Sequence, residues 1–153
     1  YSRARQANAA YYLETMSTLE GVVLAAPAHC CCAKAQEEAL AEARIVLPAC
    51  YEHNEHIWNQ FTLRVRGPGQ RDLLRAHLAE REIGSEVYYP LTMDQQECFA
   101  ELPASSREGN EVAHQLAGEV LSIPIYPELE REMQDQVVEA ISEFLEVETP
   151  LEE

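Results

Sequence analysis

HIWNQFTLRVRGPGQRDLLRAHLAEREIGSEVYYP, residues 56–90, decides the fold. Its first part alternates: Ile57, Asn59, Phe61, Leu63 and Val65 fall on one face, and Trp58, Gln60, Thr62, Arg64 and Arg66 on the other. Period-two alternation over aromatic and β-branched residues predicts a strand half-covered by helices. Gly67-Pro68-Gly69 is a turn, since glycine and proline supply the backbone angles that end a strand. Residues 70–82 then read as an amphipathic helix with Leu73, Leu74 and Leu78 inward, stopped by Gly84. Ser85–Tyr89 is predicted as a short second strand ending at Pro90.

Working outward, residues 3–19 predict a helix whose inward face carries Ala7, Ala10, Tyr11, Met16 and Leu19, with Gly21 as its end. Residues 22–33 are small and apolar, interrupted by Pro27, and read as irregular. Residues 34–44 are strong helix formers and predict a short exposed helix. Residues 91–110 read as loop with a helical turn around Gln95–Phe99. Glu111–Leu121 is predicted helical through Val112, Leu116, Ala117 and Val120, and Ser122–Tyr126 extended between two prolines. A last helix, Leu129–Val147, turns Met133, Val137, Val138, Ile141, Phe144 and Leu145 inward. Two crossovers of helical length point to an α/β, α+β-like fold: a small mixed or antiparallel sheet backed by helices. Strand order stays open at this level.

The 153 residues carry 11 Lys/Arg against 27 Asp/Glu, a formal charge of −16. Such a charge repels phosphate backbones, so nucleic-acid binding is excluded, as is adhesion to anionic lipid. The acid is concentrated: residues 108–153 hold thirteen acidic groups and one basic group. Those acids alternate with an apolar stripe, so a solvated helix face accounts for them better than an interaction tail. No run approaches the roughly 18 apolar residues of a membrane span. No basic-then-apolar start marks a secretory signal, and the expected location is cytoplasmic. The chain opens without Met inside a helical pattern and closes on VETPLEE, which leads us to expect a piece of a longer protein.

Several chemistries fail on the residues available. Lys34 is the single lysine. It heads a run of helix formers beside Glu37 and Glu38, where ion pairing in solvent explains it better than the apolar or cationic pocket an imine-forming lysine needs. Cys50-x-x-His53-x-x-His56 with His29 and Cys30 reaches four zinc ligands on paper. Cysteines packed as small apolar side chains, Cys31 and Cys32 among them, and surface histidines beside Glu52 and Glu55 are the preferred account, so no metal is expected. Five cysteines without an extracellular signature argue against a disulfide framework. His29 beside Cys30 is adjacency in sequence rather than a nucleophilic pair. Dinucleotide, P-loop and H-E-x-x-H patterns are all missing from the sequence. The best internal candidate is GSEVYYPLTMDQQECF, residues 84–99, because loops at strand ends on a rigid scaffold commonly carry ligand contacts. Scaffold and site are equal readings of that segment from the residues alone.

HIWNQFTLRV (56–65), RDLLRAHLAEREIGSEVYYPLTMDQQECF (71–99) and AHQLAGEVLSIPIYPELEREMQDQVVEAISEF (113–144) together resemble one family. It is the C-terminal portion of the DegT/DnrJ/EryC1/StrS sugar aminotransferases, which use pyridoxal phosphate. RQANAAYYLETM (5–16) resembles the helix that enters that small domain. The resemblance covers 1–20 and 48–147; it leaves 21–47 as an insertion with a short helix and 148–153 as a flexible tail.

Family members are fold-type I enzymes, usually dimers with active sites at the subunit interface. They typically move an amino group from glutamate onto a nucleotide-linked keto-sugar. The resemblance implies that the cofactor phosphate site, the aspartate on the pyridine nitrogen and the Schiff-base lysine all lie in a large N-terminal domain outside this chain. It therefore implies no catalytic residue here, and an isolated chain that is inactive. Asn59 matches the family position near the cofactor. Tyr88 and Tyr89 match an aromatic pair on the sugar side. In the family's P-L-H-x-Q pattern Gln96 is retained, whereas Asp94 stands where histidine is usual; both are expected at the substrate. GNEVAHQL (109–116) likewise departs from a family pattern closer to GDFPVAER, placing His114 at an acidic position. A non-catalytic aminotransferase-like domain serving dimerisation or protein binding is the alternative.

Overall fold

The computed structural model describes residues 1–25, 40–50, 53–101 and 109–147. In chain order the elements are α1 (Ser2–Met16), β1 (Val22–Leu24), β2 (Ile45–Leu47), β3 (Phe61–Val65), α2 (Gln70–Glu80), α3 (Glu111–Glu119), β4 (Val120–Ile123) and α4 (Arg131–Glu146). The strands form one sheet ordered β1-β2-β3-β4. β1 and β2 are parallel, while β2–β3 and β3–β4 are antiparallel. The sheet is therefore mixed, the first of the two arrangements left open by the sequence, and helices back it as expected.

The alternation of β3 sets the core. Phe61, Leu63 and Val65 are buried on one face, joined by Leu121 and Ile123, which sit opposite Leu63 and Phe61 in β4. Tyr12 and Met16 of α1, Leu74 and Leu78 of α2, and Val137, Ile141 and Phe144 of α4 complete the cluster. On the other face Thr62 and Ser122 share a hydroxyl hydrogen bond of 2.9 Å. Beside them Arg64 Nε donates to Glu119 at 2.5 Å, tying β3 to the end of α3.

Several expectations are corrected. The inward face of α1 is Asn8, Ala9, Tyr12 and Met16, while Ala7 and Ala10 are exposed. Asn8 is buried because it is satisfied: its Nδ2 donates to the Tyr126 carbonyl at 2.9 Å and its own carbonyl accepts from Gln134 at 2.9 Å. Val22–Leu24 is a strand rather than irregular, and Ile45–Leu47 is a further strand. The stretch 21–47 thus supplies two sheet strands at its ends; Cys30, Cys31, Cys32 and Lys34 lie outside the described residues. Of the predicted 34–44 helix, residues 40–42 are helical among those described. Arg66 caps that turn by donating to the carbonyls of Leu40, Ala41 (3.0 Å) and Ala43 (3.4 Å).

β3 starts at Phe61, not at Ile57, because Trp58 has φ +50° and breaks the alternation. Trp58 is consequently buried and Ile57 exposed. In α2, Leu73 is 49% exposed, whereas Leu74 and Leu78 are buried. The helix stops before Gly84: Glu82 takes the left-handed conformation at φ +59°, with Glu82 N–H on Ala79 and Ile83 N–H on Leu78 carbonyls, both at 3.0 Å. That double bond is a Schellman closure, with Ile83 folding back onto the core. Ser85–Tyr89 makes one isolated bridge, Glu86 to Ser122, rather than a strand. The predicted helical turn near Gln95 is two short 3-10 turns, Met93–Gln95 and Glu97–Phe99. α3 ends at Glu119, so Val120 and Leu121 belong to β4, and Val112 and Met133 are exposed.

Candidate functional site

β4 is the outer strand of the sheet, and its free edge is where a site is built. Glu86 N–H donates to the Ser122 carbonyl and Ser122 N–H to the Glu86 carbonyl, both at 2.9 Å. This one-residue bridge holds the segment after α2 alongside β4. Val87 then packs against the core, while Glu86 and Tyr88, on either side of it in the chain, line a cavity of about 610 Å3. Past β4, the Pro124–Tyr126 segment and Leu129 form another wall, and Met133, Gln136 and Val137 of α4 close it. Asn59 and Gln60, immediately before β3, form its remaining edge.

Asn59 is placed by α1: Arg5 Nη1 donates to Asn59 Oδ1 at 3.1 Å. The Asn59 carbonyl-type oxygen is thus engaged, which leaves its side-chain amide as a donor. Tyr126, another lining residue, is positioned through its backbone carbonyl by Asn8. The lining combines amides (Asn59, Gln60, Gln136), hydroxyls (Ser85, Ser122, Tyr88, Tyr126) and apolar side chains with two carboxylates, Glu82 and Glu86. No Lys, Arg or His is among these lining residues. Such a surface suits an uncharged, hydroxyl-rich ring with an aromatic wall to pack on, and opposes a phosphate.

Two of the five sequence-predicted site residues therefore meet here: Asn59 and Tyr88, 29 positions apart in the chain. Tyr89 is 73% exposed and does not line this cavity. Asp94 and Gln96 lie in the loop beyond. Asp94 Oδ1 accepts from the Thr92 hydroxyl at 2.6 Å, and Oδ2 pairs with His114 Nε2 at 2.7 Å. The Thr92 hydroxyl, then burial acting the other way, then His114 set the Asp94 carboxyl, with the net result below its ordinary range. Gln96 is turned onto its own loop, donating to Met93 Sδ at 3.7 Å and accepting from Cys98 Sγ at 3.9 Å. Sequence reasoning missed Tyr126 and Gln136. The two prolines around Ile125 were the available signal for Tyr126, while Gln136 sits among acidic helix residues with nothing to mark it.

The histidines at 53 and 56 line a separate cavity of about 480 Å3 with Cys50 and Glu55. Among the described residues no group of three His, Cys, Asp or Glu side chains could hold a metal ion; His29 and Cys30 lie outside them. Among the described residues, too, no helix is long and apolar enough to cross a membrane.

The family model for the DegT/DnrJ/EryC1/StrS aminotransferases matches residues 2–142. A pleiotropic regulatory protein from Geobacillus stearothermophilus is 40% identical over 108 residues, 71% of this chain and 28% of that protein. A dTDP-3-amino-3,6-dideoxy-alpha-D-galactopyranose transaminase from Aneurinibacillus thermoaerophilus is 31% identical over 100 residues, 65% of this chain and 26% of its own length. The chain thus spans about a quarter of the length of these relatives. Among solved structures, S. venezuelae DesV in complex with a ketimine intermediate superimposes with a TM-score of 0.72 at 29% identity, covering 95% of this chain and 32% of that one. The family model covers most of the chain and the fold superimposes on a solved structure of this kind, and the chain belongs to the DegT/DnrJ/EryC1/StrS aminotransferase family.

Proposed function

We propose that this chain is the C-terminal domain of a pyridoxal-phosphate-dependent aminotransferase that moves an amino group, from glutamate, onto a nucleotide-linked keto-sugar. The observation that carries the reading is the convergence of Asn59 and Tyr88 in the cavity beside β4. The acceptor class follows the transaminase relative, whose name carries a dTDP-linked amino sugar. The remaining part of the protein, in a homodimer, would supply the covalent anchor for the cofactor and the other walls of the site.

The residues described here fit a wall of such a site and not its centre. Among them there is no lysine to hold the cofactor, and the cavity lining has no cation for its phosphate. When bound, pyridoxal phosphate supplies the electron sink through which an amino group changes carrier. The Asn59 amide, with its oxygen fixed by Arg5, is left as a donor toward the polar edge of the cofactor and substrate. Tyr88 and Tyr126 offer faces against which a sugar ring packs, and Gln136 and the serines offer hydrogen bonds to ring hydroxyls. Glu82 and Glu86 disfavour the diphosphate, so the sugar end lies on this wall and the nucleotide leads away from it. Asp94, held by Thr92 and by His114 of α3, and Gln96, bonded within its own loop, shape the substrate side from outside the cavity.

The test is an assay of the full-length protein with pyridoxal phosphate, glutamate and a panel of dTDP- and UDP-linked keto-sugars. The expected result is 2-oxoglutarate formed in step with an amino sugar nucleotide, and no turnover by this chain alone. Formation of neither product across the panel would overturn the reading.

A further inference from the structure

Trp58 is a bulky residue with φ +50°, a region that residues other than glycine enter only under strain. It is also the single tryptophan of the chain and is buried. Something must hold it there. Its indole stacks on Phe61 at 5.3 Å between ring centroids, and the His56 imidazole lies on it at 4.0 Å. The backbone N–H of Trp58 donates to His56 Nδ1 at 3.0 Å. His56 is itself tied to α1, because Gln6 Nε2 donates to the His56 carbonyl at 3.0 Å. One residue on, Arg5 from the same helix holds Asn59.

The consequence is geometric. Had residues 57–60 continued β3 with period two, Trp58 would face away from Phe61. The left-handed residue breaks that alternation: Trp58 turns into the core, and the chain carries Asn59 to the mouth of the cavity beside β4. We infer that His56 is a positioning residue for Asn59, with its Nδ1 acting as the acceptor that locks the left-handed turn at Trp58. A neutral ring with its proton on Nε2 is the tautomer that provides this acceptor. The imidazole contributes in two separable ways, as an acceptor and as a flat ring on the indole. The assignment rests on Asn59 facing cofactor and substrate, but its test reads local geometry in this chain without either.

Two substitutions divide the two contributions. His56→Asn keeps an oxygen acceptor and removes the ring, whereas His56→Phe keeps the ring and removes the acceptor. The readouts are the Asn59 side-chain amide resonances and the Trp58 backbone shifts that mark positive φ. The expected result is loss of the wild-type Asn59 and Trp58 signals in His56→Phe and their retention in His56→Asn. The unmodified chain gives an independent reading: the Trp58 amide, though outside any strand, should exchange roughly tenfold slower than an open loop amide, as one hydrogen bond of about 1.4 kcal/mol requires. Wild-type signals in His56→Phe, failure of His56→Asn to keep them, or an unprotected Trp58 amide would each overturn the assignment. A His56→Phe variant that does not fold leaves His56→Asn and the exchange rate to decide. None of these outcomes bears on whether the full-length protein transfers an amino group.

Discussion

His114 Nε2 lies 2.7 Å from Asp94 Oδ2, joining the first turn of α3 to the loop that follows Tyr88 and Tyr89. The family resemblance leads us to expect histidine at position 94 and an acid at position 114, so both partners of this contact are among the expected departures from the pattern. The two meet in space as a complementary acid–imidazole pair. Asp94→His or His114→Asp alone places like partners together and should lower the melting temperature and loosen the loop. The double exchange should return most of the loss, as read in a double-mutant cycle. Additive losses would show the contact to be incidental.

The same loop should respond to acid. Asp94 is held below its ordinary value of 3.8, first by the Thr92 hydroxyl and further by His114. A carboxyl depressed in the folded state adds stability that is complete above its unfolded value and is lost as pH falls through the folded one. Resonances of Thr92 and Met93 should therefore show a transition below about pH 3.8. Asp94→Asn should remove that transition. A transition in the variant identical to that of the wild type would assign it to another group.

Core substitutions should separate two neighbours that look equivalent in sequence. Leu74 is fully buried and Leu73 is 49% exposed. Leu74→Ala should cost about 2–5 kcal/mol in unfolding free energy, and Leu73→Ala about 0.5 kcal/mol or less. Chemical denaturation with constant slope measures both.

Glu82 closes α2 in a conformation that glycine adopts without strain. Glu82→Gly should stabilise the domain by about 1 kcal/mol. It also removes one of the two carboxylates from the cavity lining. A destabilised variant would mean that the Glu82 side chain contributes more than its backbone strain costs.

What the sequence disclosed follows from how far each signal extends. The alternation at Phe61, Leu63 and Val65 and the helical stripe of α4 run over enough residues to be read, and both stand in the structure. β1 and β2 are three residues each, and β2 is buried along its whole length, so neither shows an alternation to count. The face of α1 was hidden because it buries a satisfied asparagine. At the site, family pattern pointed to Asn59 and Tyr88, which the fold brings to one cavity. It gave no means of seeing that Trp58 turns the chain or that Gln136 completes the wall, since both depend on contacts between distant segments.

The central claim is that the cavity beside β4 is the sugar-side wall of an aminotransferase. The most direct measurement is kcat/KM for amino transfer from glutamate to a nucleotide-linked keto-sugar in the full-length protein carrying Asn59→Ala, Tyr88→Ala or Gln96→Ala. The first two remove side chains that line the cavity, and the third removes one that does not. The account predicts a fall of roughly tenfold or more for Asn59→Ala and Tyr88→Ala, the worth of one lost hydrogen bond or ring contact, with a smaller effect for Gln96→Ala. Unchanged kcat/KM in both cavity variants, or a loss confined to Gln96→Ala, would contradict it.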